Sequence, residues 1–510
     1  MPTRLLVLGA DALDKDLVLR WAQDGTLPAF RRLLGEGARG VTETPPGLYV
    51  GAVWPSFWTA TSPARHARYC FEQLVPGSYD TARIHPADTR APAFWKALSA
   101  AGRRVAVLDV PKTYVEPGLN GVQLVDWGTH DPDYEGPLTW PPDFREEVIA
   151  RYGRDQVGNC NRHGKSGAYA ELREQLRARV ATRTRLVRDV IARESWDCVI
   201  AVFSESHCAG HQCWHLHDPA HARHDAALAR EVGDPIRDVY IAIDAAVGEI
   251  LGGLDPATDV VVFGSHGMRS HYDATFLLDD MLRRIENPRA PARTATGRKP
   301  LAKRIWKRTP APLRRVLSPF KEPAKAKLGL EGRAARRWFA VPNNDACGAI
   351  RLNLVGREPN GRVRPEEIDA TIARIERDLL EFVNVDTGEP IVRRVLRTDA
   401  LYHGPHMAHL PDLMVEWNRD APVSRVRSAR AGEVEGRYRK CRTGDHSPFG
   451  FFCVRGPGVV AGEVARSVSV MDFGPTIASR LGVTLGEVDG RSFADLVFAN
   501  GRSATGRSGA

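Results

Sequence analysis

The chain has 510 residues, of which 43% are hydrophobic and 26% are charged, enough apolar side chains to bury the large core of a globular protein. Its longest apolar runs have the length of a strand and fall far short of the roughly 20 residues that a membrane-spanning helix needs, so we predict no transmembrane segment. The eight cysteines form no CxxC pair, and we predict that most of them are reduced and structural.

The formal net charge of +9 comes from one basic segment, residues 287–337. This segment holds 16 Lys and Arg against two Glu, whereas the rest of the chain is net negative. It is rich in Pro and Ala and has few aromatic residues, which is not typical of a dedicated nucleic-acid-binding module. We predict a solvated insertion here; an electrostatic arm that attracts phosphate-bearing molecules is the alternative.

The N-terminal run "RLLVLGA" predicts a buried strand that ends just before Asp11. No small-residue cleavage site follows this run, so we predict a cytoplasmic protein. Further along, helix-period segments alternate with strand-like runs such as "RVAVLDV", "WDCVIAVF" and "DVVVFG". That alternation predicts an α/β fold with a mainly parallel sheet and helices on both faces. We expect a single domain formed by residues 1–286 and 338–495, followed by a flexible tail at 496–510.

Polar residues follow the predicted parallel strands at the point where each strand ends. They are Asp11 after the first strand, Glu205 and His207 after a middle strand, and Ser265 and His266 after another. Ligands of such sheets bind outside the carboxyl ends of the strands. We therefore expect the functional site at this edge of the sheet.

Histidines at the spacing of metal ligands lie in this region. His207 and His211 are four residues apart in "FSESHCAGHQCWH", so they can share one face of a helix and bind the same metal ion. His446 follows Asp445 in "TGDHSPFG", where small residues indicate a tight loop. Imidazole combined with carboxylate suits zinc, and manganese less specifically. His215, one turn beyond His211, is expected to lie outside the ligand set.

Seven motifs, taken in chain order, carry a resemblance to a known family: "VLGAD", "WPSFWTATSPARH", "FSESHCAGH", "VVVFGSHGM", "IRLNLVGREPNG", "TGDHSPFG" and "DFGPTIASRLG". Together they resemble the type I phosphodiesterase/nucleotide pyrophosphatase family of the alkaline phosphatase superfamily, over about residues 3–495. The resemblance implies a three-layer α/β/α sandwich that binds two divalent metal ions. It also implies cleavage of a small phosphate-ester substrate through a Thr or Ser nucleophile.

Four positions match metal ligands of that family: Asp11, His211, His266 and His446. The family holds one metal with an Asp after the first strand, the nucleophile, and the Asp and His of a DHG element. It holds the other with an Asp-x3-His element and a late histidine. This sequence departs from the pattern at His207, which stands in place of the first Asp of Asp-x3-His, and at Ser265, which stands in place of the Asp of DHG. One site thus becomes a set of three imidazoles, from His207, His211 and His446, and the other keeps only Asp11 and His266.

The nucleophile position of the motif falls at Val50, which has no hydroxyl. A second way of counting places Leu48 there, and the nearby hydroxyls of Thr44, Tyr49 and Ser56 do not occupy the motif position. Three neutral ligands leave the charge of a metal ion uncompensated, which lowers the pKa of a bound water to roughly 7. The hypothesis is therefore direct attack by metal-bound hydroxide rather than a covalent phosphoenzyme.

Two carboxylates, Glu205 and Asp445, are candidates for orienting a metal-binding imidazole through its other ring nitrogen. The expected cofactor is one or two divalent ions, zinc before manganese.

Three classes of function stay open at this point. The first is a metal-dependent hydrolase of a phosphodiester, a pyrophosphate or a related phosphate ester. The second is a catalytically silent relative that serves as a binding or scaffold module, favoured by the loss of the nucleophile and of two carboxylate ligands. The third is a sulfate-ester or phosphonate hydrolase. Metal content separates the second class from the others, and a substrate panel separates the first from the third; no motif specifies the substrate or the oligomeric state.

Overall fold

The computed structural model of the protein describes residues 3–158, 160, 166–289 and 332–499. These residues form two compact units. Unit 1 comprises Met1–Tyr69, His85–His271 and Lys440–Ala510, and unit 2 comprises Cys70–Ile84 and Tyr272–Arg439. Most of the predicted basic insertion and of the predicted tail lies outside the described residues. None of the helices in the described ranges has both the length and the apolar character needed to cross a membrane.

Unit 1 is built on a ten-stranded sheet. In spatial order its strands are Gly462–Glu463, Ala38–Glu43, Phe449–Arg455, Asp259–Gly264, Leu5–Ala10, Cys198–Phe203, Val105–Leu108, Gly121–Val125 and Leu138–Trp140, with Val468–Ser469 beside Ala38–Glu43. The five strands from Asp259–Gly264 to Gly121–Val125 are all parallel, and Phe449–Arg455 joins them antiparallel. The mainly parallel sheet predicted from the sequence is confirmed.

Helices cover both faces of this sheet. On one face they are Lys15–Gln23, Pro28–Glu36, Phe144–Tyr152, Ser166–Arg193, Glu205–His217, Ala226–Val232 and Pro235–Gly252, and on the other they are Tyr49–Thr59, Phe94–Ala100, Phe473–Arg480 and Ala494–Val497. A short helix, Pro63–His66, follows Tyr49–Thr59. Alternate residues of the first strand enter opposite cores, Leu6 on one face and Val7 on the other, because successive side chains of a strand point to opposite faces. The predicted three-layer α/β/α arrangement is confirmed.

The central strands are apolar, apart from Asp259 at the start of one of them, because they are covered on both faces. Every residue of Leu5–Ala10, Cys198–Phe203 and Asp259–Gly264 is buried, as expected for parallel strands between two helical layers. The core of unit 1 also extends beyond residue 495, since Val497 is buried and Phe498 packs against the same apolar cluster.

Unit 2 contains mostly antiparallel strands. They are Trp338–Ala340, Cys347–Leu352, Leu413–Trp417 and Val392–Arg397 in one sheet, Val383–Asn384, Arg425–Ser428 and Gly432–Glu435 in a second, and Glu72–Leu74 with Thr81–Arg83 in a third. Its helices in the described ranges are Leu278–Glu286, Ile368–Leu380 and Thr398–Leu401. The second segment of this unit begins at Tyr272, before the basic segment begins. That the two units act as one domain stays a prediction.

The carboxyl ends of three central strands of unit 1 meet at one edge of the sheet. Asp11 follows the first strand, the helix Glu205–His217 begins just after the second, and His266 follows the third. The short strand Gly267–Ser270 then pairs antiparallel with Gly444–Ser447. These connections bring the predicted site residues of distant sequence regions to the same edge.

Candidate metal centre

Two of the predicted ligands lie on successive turns of one buried helix. The helix Glu205–His217 places His207 and His211 four residues apart, and their Nε2 atoms are 3.1 Å apart. Residues at this spacing are neighbours on one helix face. The two imidazoles therefore face the same side of the helix; that they bind a metal ion together stays a prediction.

A third imidazole reaches the same point from the strand pair. In the pairing of Gly267–Ser270 with Gly444–Ser447, His446 lies opposite Met268, and its Nε2 is 2.7 Å from Nε2 of His207. The close approach depends on glycine: a Cβ on Gly444 would lie 2.3 Å from the carbonyl oxygen of Gly210. The strand can therefore pack directly against the helix.

A hydrogen bond to the backbone determines where the proton of His211 lies. Nδ1 of His211 is 2.8 Å from the carbonyl oxygen of Gly444, which can only accept, so this nitrogen carries the proton. Nδ1 of His446 lies 2.9 Å from a carboxylate oxygen of Asp445. In the neutral ring of His211 Nε2 then presents a lone pair, and Nε2 of His207 lies close both to it and to Nε2 of His446. Lone pairs converging in a buried site are the arrangement that a cation stabilises.

The separations of these nitrogens fit a tetrahedral ion. Zinc–imidazole bonds of 2.0–2.1 Å at tetrahedral angles place neighbouring nitrogens roughly 3.3 Å apart. The two Nε2 separations from His207, 2.7 Å to His446 and 3.1 Å to His211, are shorter than this value. The donor atoms of His207, His266 and His446, and those of His130, His207 and His211, also lie within 4.8 Å of one another, so the imidazoles around His207 fit a zinc ion once they move slightly apart.

Asp11 and His266 lie beside this set, but their surroundings differ. Oδ1 of Asp11 accepts hydrogen bonds from Nε1 of Trp54 at 2.8 Å and from Oγ of Ser265 at 3.2 Å, and its Oδ2 lies 3.6 Å from Nδ1 of His207. Nδ1 of His266 is 2.9 Å from Oγ of Ser265. Nε2 of His266 is buried and has no hydrogen-bond partner among the described residues. A second ion would thus find one carboxylate that two donors already occupy, and one available imidazole.

Burial sets the charge state of the cluster. It lowers the pKa of His207, His211 and His266 below the usual value and raises the pKa of Asp11, because the charged forms lose their hydration. His207, His211 and His266 are therefore neutral near pH 7, and neutral imidazole is the form that binds a metal ion.

The two carboxylates considered for orienting an imidazole differ in their contacts. Asp445 lies against His446, as described above, and this contact holds the pKa of Asp445 well below its usual value although burial alone would raise it. Glu205 is fully buried, and its Oε1 accepts hydrogen bonds from Nε of Arg179 at 2.9 Å and of Arg183 at 3.3 Å. The predicted role as an orienting carboxylate therefore suits Asp445, whereas Glu205 pairs with two buried arginines.

Two hydroxyl groups near Val50 are engaged in other contacts. Val50 lies in the first turn of Tyr49–Thr59. Oγ1 of Thr44 donates to the carbonyl oxygen of Pro448. Ser56 lies 2.9 Å from Nε2 of His66, whose Nδ1 accepts from a backbone N–H, so the imidazole donates to the serine and cannot act as its base. Neither Thr44 nor Ser56 is therefore activated as a nucleophile.

Sequence reasoning missed two residues of this site. Trp54 holds Asp11 through its indole N–H, and no spacing or motif marked it. The His130 ring lies 4.2 Å from the ring of His207, centre to centre. His130 follows the parallel strand Gly121–Val125, so the rule that identified the other polar residues at strand ends could have found it.

Acid should destabilise the metal-free protein because of the buried neutral imidazoles. Below about pH 6.5 the unfolded chain takes up protons at His207, His211 and His266 that the folded chain does not. Each group then costs about 1.4 kcal/mol of unfolding free energy per pH unit until its folded pKa is reached. The raised pKa of Asp11 has the opposite effect, because the folded chain binds this proton more tightly than the unfolded chain. This is one stabilising group, whereas three imidazoles destabilise the folded protein in acid.

Denaturant unfolding with a chelator present, at a series of pH values between about 7.5 and 5, measures this slope. The variant His207→Gln should have a shallower slope than the wild type. Equal slopes in the two proteins would contradict the assignment of His207 as a buried neutral imidazole.

Comparison with known proteins places this geometry in context. Residues 5–445 match the family described as Type I phosphodiesterase / nucleotide pyrophosphatase. No curated protein matches the sequence significantly. A phosphonoacetate hydrolase from Sinorhizobium meliloti 1021, solved in complex with phosphonoacetate, aligns with a TM-score of 0.50 and 15% identity over 94% of this chain and 96% of that chain. An inactive variant of murine ectonucleotide pyrophosphatase/phosphodiesterase 5 in complex with AMP aligns with a TM-score of 0.49 and 11% identity, over 97% of this chain and 100% of that chain.

Proposed function

The chain belongs to the type I phosphodiesterase/nucleotide pyrophosphatase family, and on this premise we propose that it is a metal-dependent hydrolase of a phosphodiester, a pyrophosphate or a related small phosphate ester. The observation that carries the proposal is the convergence of the Nε2 atoms of His207, His211 and His446 at the carboxyl edge of the sheet. The fold is the α/β fold of the alkaline phosphatase superfamily, in which ligands bind at this edge.

His207, His211 and His446 would hold a divalent cation, and zinc is the ion that three imidazoles suit best. When bound there, the cation supplies positive charge that polarises a phosphoryl oxygen and lowers the pKa of water. The protein side chains supply the orientation: the carbonyl of Gly444 fixes the ring of His211, and the carboxylate of Asp445 fixes the ring of His446. Such partners keep the metal-binding nitrogen unprotonated.

Asp11 and His266 would make a weaker second site. Ser265 gives a neutral hydroxyl where the family has a carboxylate, and Trp54 already donates to Asp11. A family member with two fully formed sites would have three carboxylates in this region. We therefore propose one tightly held ion, with a second bound weakly or not at all.

Water is the nucleophile in this proposal because the motif position is Val50. The oxygen of water bonds to phosphorus, the ester P–O bond breaks with its electron pair on the leaving oxygen, and that oxygen takes up a proton. No bond forms between phosphorus and the protein. The configuration at phosphorus is inverted by this single displacement.

A chromogenic phosphodiester such as bis(4-nitrophenyl) phosphate tests the proposal. We expect turnover by the wild type that is lost after chelation and restored by zinc or manganese. Acid quenching during turnover of a radiolabelled phosphodiester should leave no label on the protein, and Val50→Ala should keep its activity within about threefold, since the side chain takes no part in the chemistry. Label that stays on the denatured protein would contradict direct attack by water.

A substrate panel separates the related activities. Phosphodiester, pyrophosphate, phosphonoacetate and aryl sulfate should be compared at the same metal concentration. Preference for phosphonoacetate or for the sulfate would replace the proposed substrate class while keeping the metal site. The absence of bound metal together with no turnover of any substrate would instead favour the silent binding module. A cytoplasmic location remains a prediction.

A further inference from the structure

A second group of metal-binding atoms lies next to the histidine cluster. Nδ1 of His130 is 3.3 Å from Sγ of Cys160 and 3.4 Å from Sγ of Cys208. Both cysteines are buried, and the donor atoms of all three residues lie within 4.8 Å of one another. The residues come from three separate parts of unit 1, so the chain does not bring them together merely by being close in sequence.

Hydrogen bonds can link these atoms without a metal, since the thiols of Cys160 and Cys208 also hydrogen-bond to each other and Nδ1 of the imidazole has one proton or one lone pair to share with one of them. The same three donor atoms can instead bind one cation. Zinc bonds of about 2.3 Å to sulfur and 2.0–2.1 Å to nitrogen at tetrahedral angles place S and N roughly 3.6 Å apart, slightly more than the two N–S separations in this cluster.

A buried cationic side chain lies beside one of the two sulfurs. Nη2 of Arg179 lies 3.7 Å from Sγ of Cys208. Arg179 is itself paired with Glu205 at 2.9 Å and with Asp155 at 3.4 Å. Two thiolates would balance the charge of one divalent ion, and thiolate and imidazole donors select zinc and other soft cations over magnesium or calcium.

We propose that His130, Cys160 and Cys208 bind a thiophilic d10 cation such as Zn²⁺, at a site that adjoins the histidine cluster, since the donor atoms of His130, His207 and His211 also lie within 4.8 Å of one another. The ion would link three residues that are distant in sequence: His130, which follows strand Gly121–Val125, Cys160, and Cys208 on the helix Glu205–His217. It would thereby fix the His130 ring, which lies against the ring of His207. Three protein ligands leave one position of a tetrahedral ion to water or another donor, and binding at this site does not depend on the proposed hydrolase function.

Cobalt substitution distinguishes the two sites because only sulfur ligands give a thiolate-to-cobalt charge-transfer band in the near ultraviolet. Reduced, metal-free wild-type protein titrated with Co²⁺ should develop this band. Cys160→Ser and Cys208→Ser should each lose it, and elemental analysis of the zinc-loaded variants should show one ion fewer per chain. His446→Ala should keep the band, because its side chain belongs to the other cluster.

Cys213→Ser is the matched control. Cys213 is buried on the same helix as Cys208, but it is not part of the donor group, so this variant should keep the band. A wild type that gives no thiolate band in cobalt excess overturns the proposal, as does a band that Cys160→Ser retains. Thiol counting on the denatured, unreduced protein provides an independent check, since a disulfide between Cys160 and Cys208 would also overturn it.

Discussion

Replacing His446 by alanine should abolish tight metal binding at the histidine cluster and lower kcat/KM for a phosphodiester on the order of 1,000-fold, because the loss of metal charge stabilisation costs several kcal/mol in the transition state. The variant removes one of three converging nitrogens and leaves Nε2 of His207 without its neighbour at 2.7 Å. Metal content by elemental analysis and steady-state kinetics should be measured on the same preparation, so that lost binding and lost turnover can be compared directly.

His215→Gln is the matched control for this experiment. His215 is buried one turn beyond His211 on the same helix, and its Nδ1 lies 3.1 Å from Oγ1 of Thr443 rather than against the cluster. Glutamine can keep a hydrogen bond to that hydroxyl, so metal content and kcat/KM should stay within about threefold of the wild type, as for a residue outside the chemistry. Comparable losses in His215→Gln and His446→Ala would show a general effect of the helix and would remove support for the cluster as the metal site.

Replacing Ser265 by aspartate should add one tightly bound ion per chain and make folding stability strongly metal-dependent. Oγ of Ser265 lies 3.2 Å from Oδ1 of Asp11, so the new carboxylate would face an existing one in a buried site. Two like charges at this distance destabilise the metal-free protein, and a divalent cation between them reverses the effect. We expect the metal-free variant to lose about 3 kcal/mol of unfolding free energy, the scale of an uncompensated buried charge, and to recover most of it with zinc.

Ser265→Asn is the control for shape, since asparagine has nearly the size of aspartate without its charge. It should bind no additional ion, and zinc should change its thermal stability no more than it changes that of the wild type. Differential scanning calorimetry with and without zinc, together with metal analysis, measures both quantities. If the asparagine and aspartate variants respond alike to zinc, Asp11 and His266 do not form a second site that a carboxylate at position 265 completes.

Much of the fold follows from local sequence patterns. The strands Leu5–Ala10, Cys198–Phe203 and, after its first residue Asp259, Asp259–Gly264 are continuous apolar runs, which is the pattern of parallel strands covered on both faces. Because polar residues directly follow these runs, the edge of the sheet that holds Asp11 and His266 could be predicted as well. The division into two units could not, since it depends on packing between segments as far apart as Cys70–Ile84 and Tyr272–Arg439.

The candidate site was predictable where helix spacing or a strand end determined it. His207 and His211 converge because they are four residues apart on one helix. Trp54 was not predictable, because its contact with Asp11 depends on how the helix Tyr49–Thr59 packs against the sheet. Glu205 illustrates the opposite case: its place at a strand end suggested a role at the metal, but the pairing with Arg179 and Arg183 depends on the long helix Ser166–Arg193.

The most direct test of the three-histidine metal site is a crystal structure of the zinc-loaded protein with anomalous diffraction data collected on both sides of the zinc absorption edge. We expect an anomalous peak bound by Nε2 of His207, His211 and His446, each at about 2.0–2.1 Å. An ion that one or more of these nitrogens does not contact, or the absence of a peak between them with zinc in excess, would contradict the assignment of these three histidines as the metal ligands.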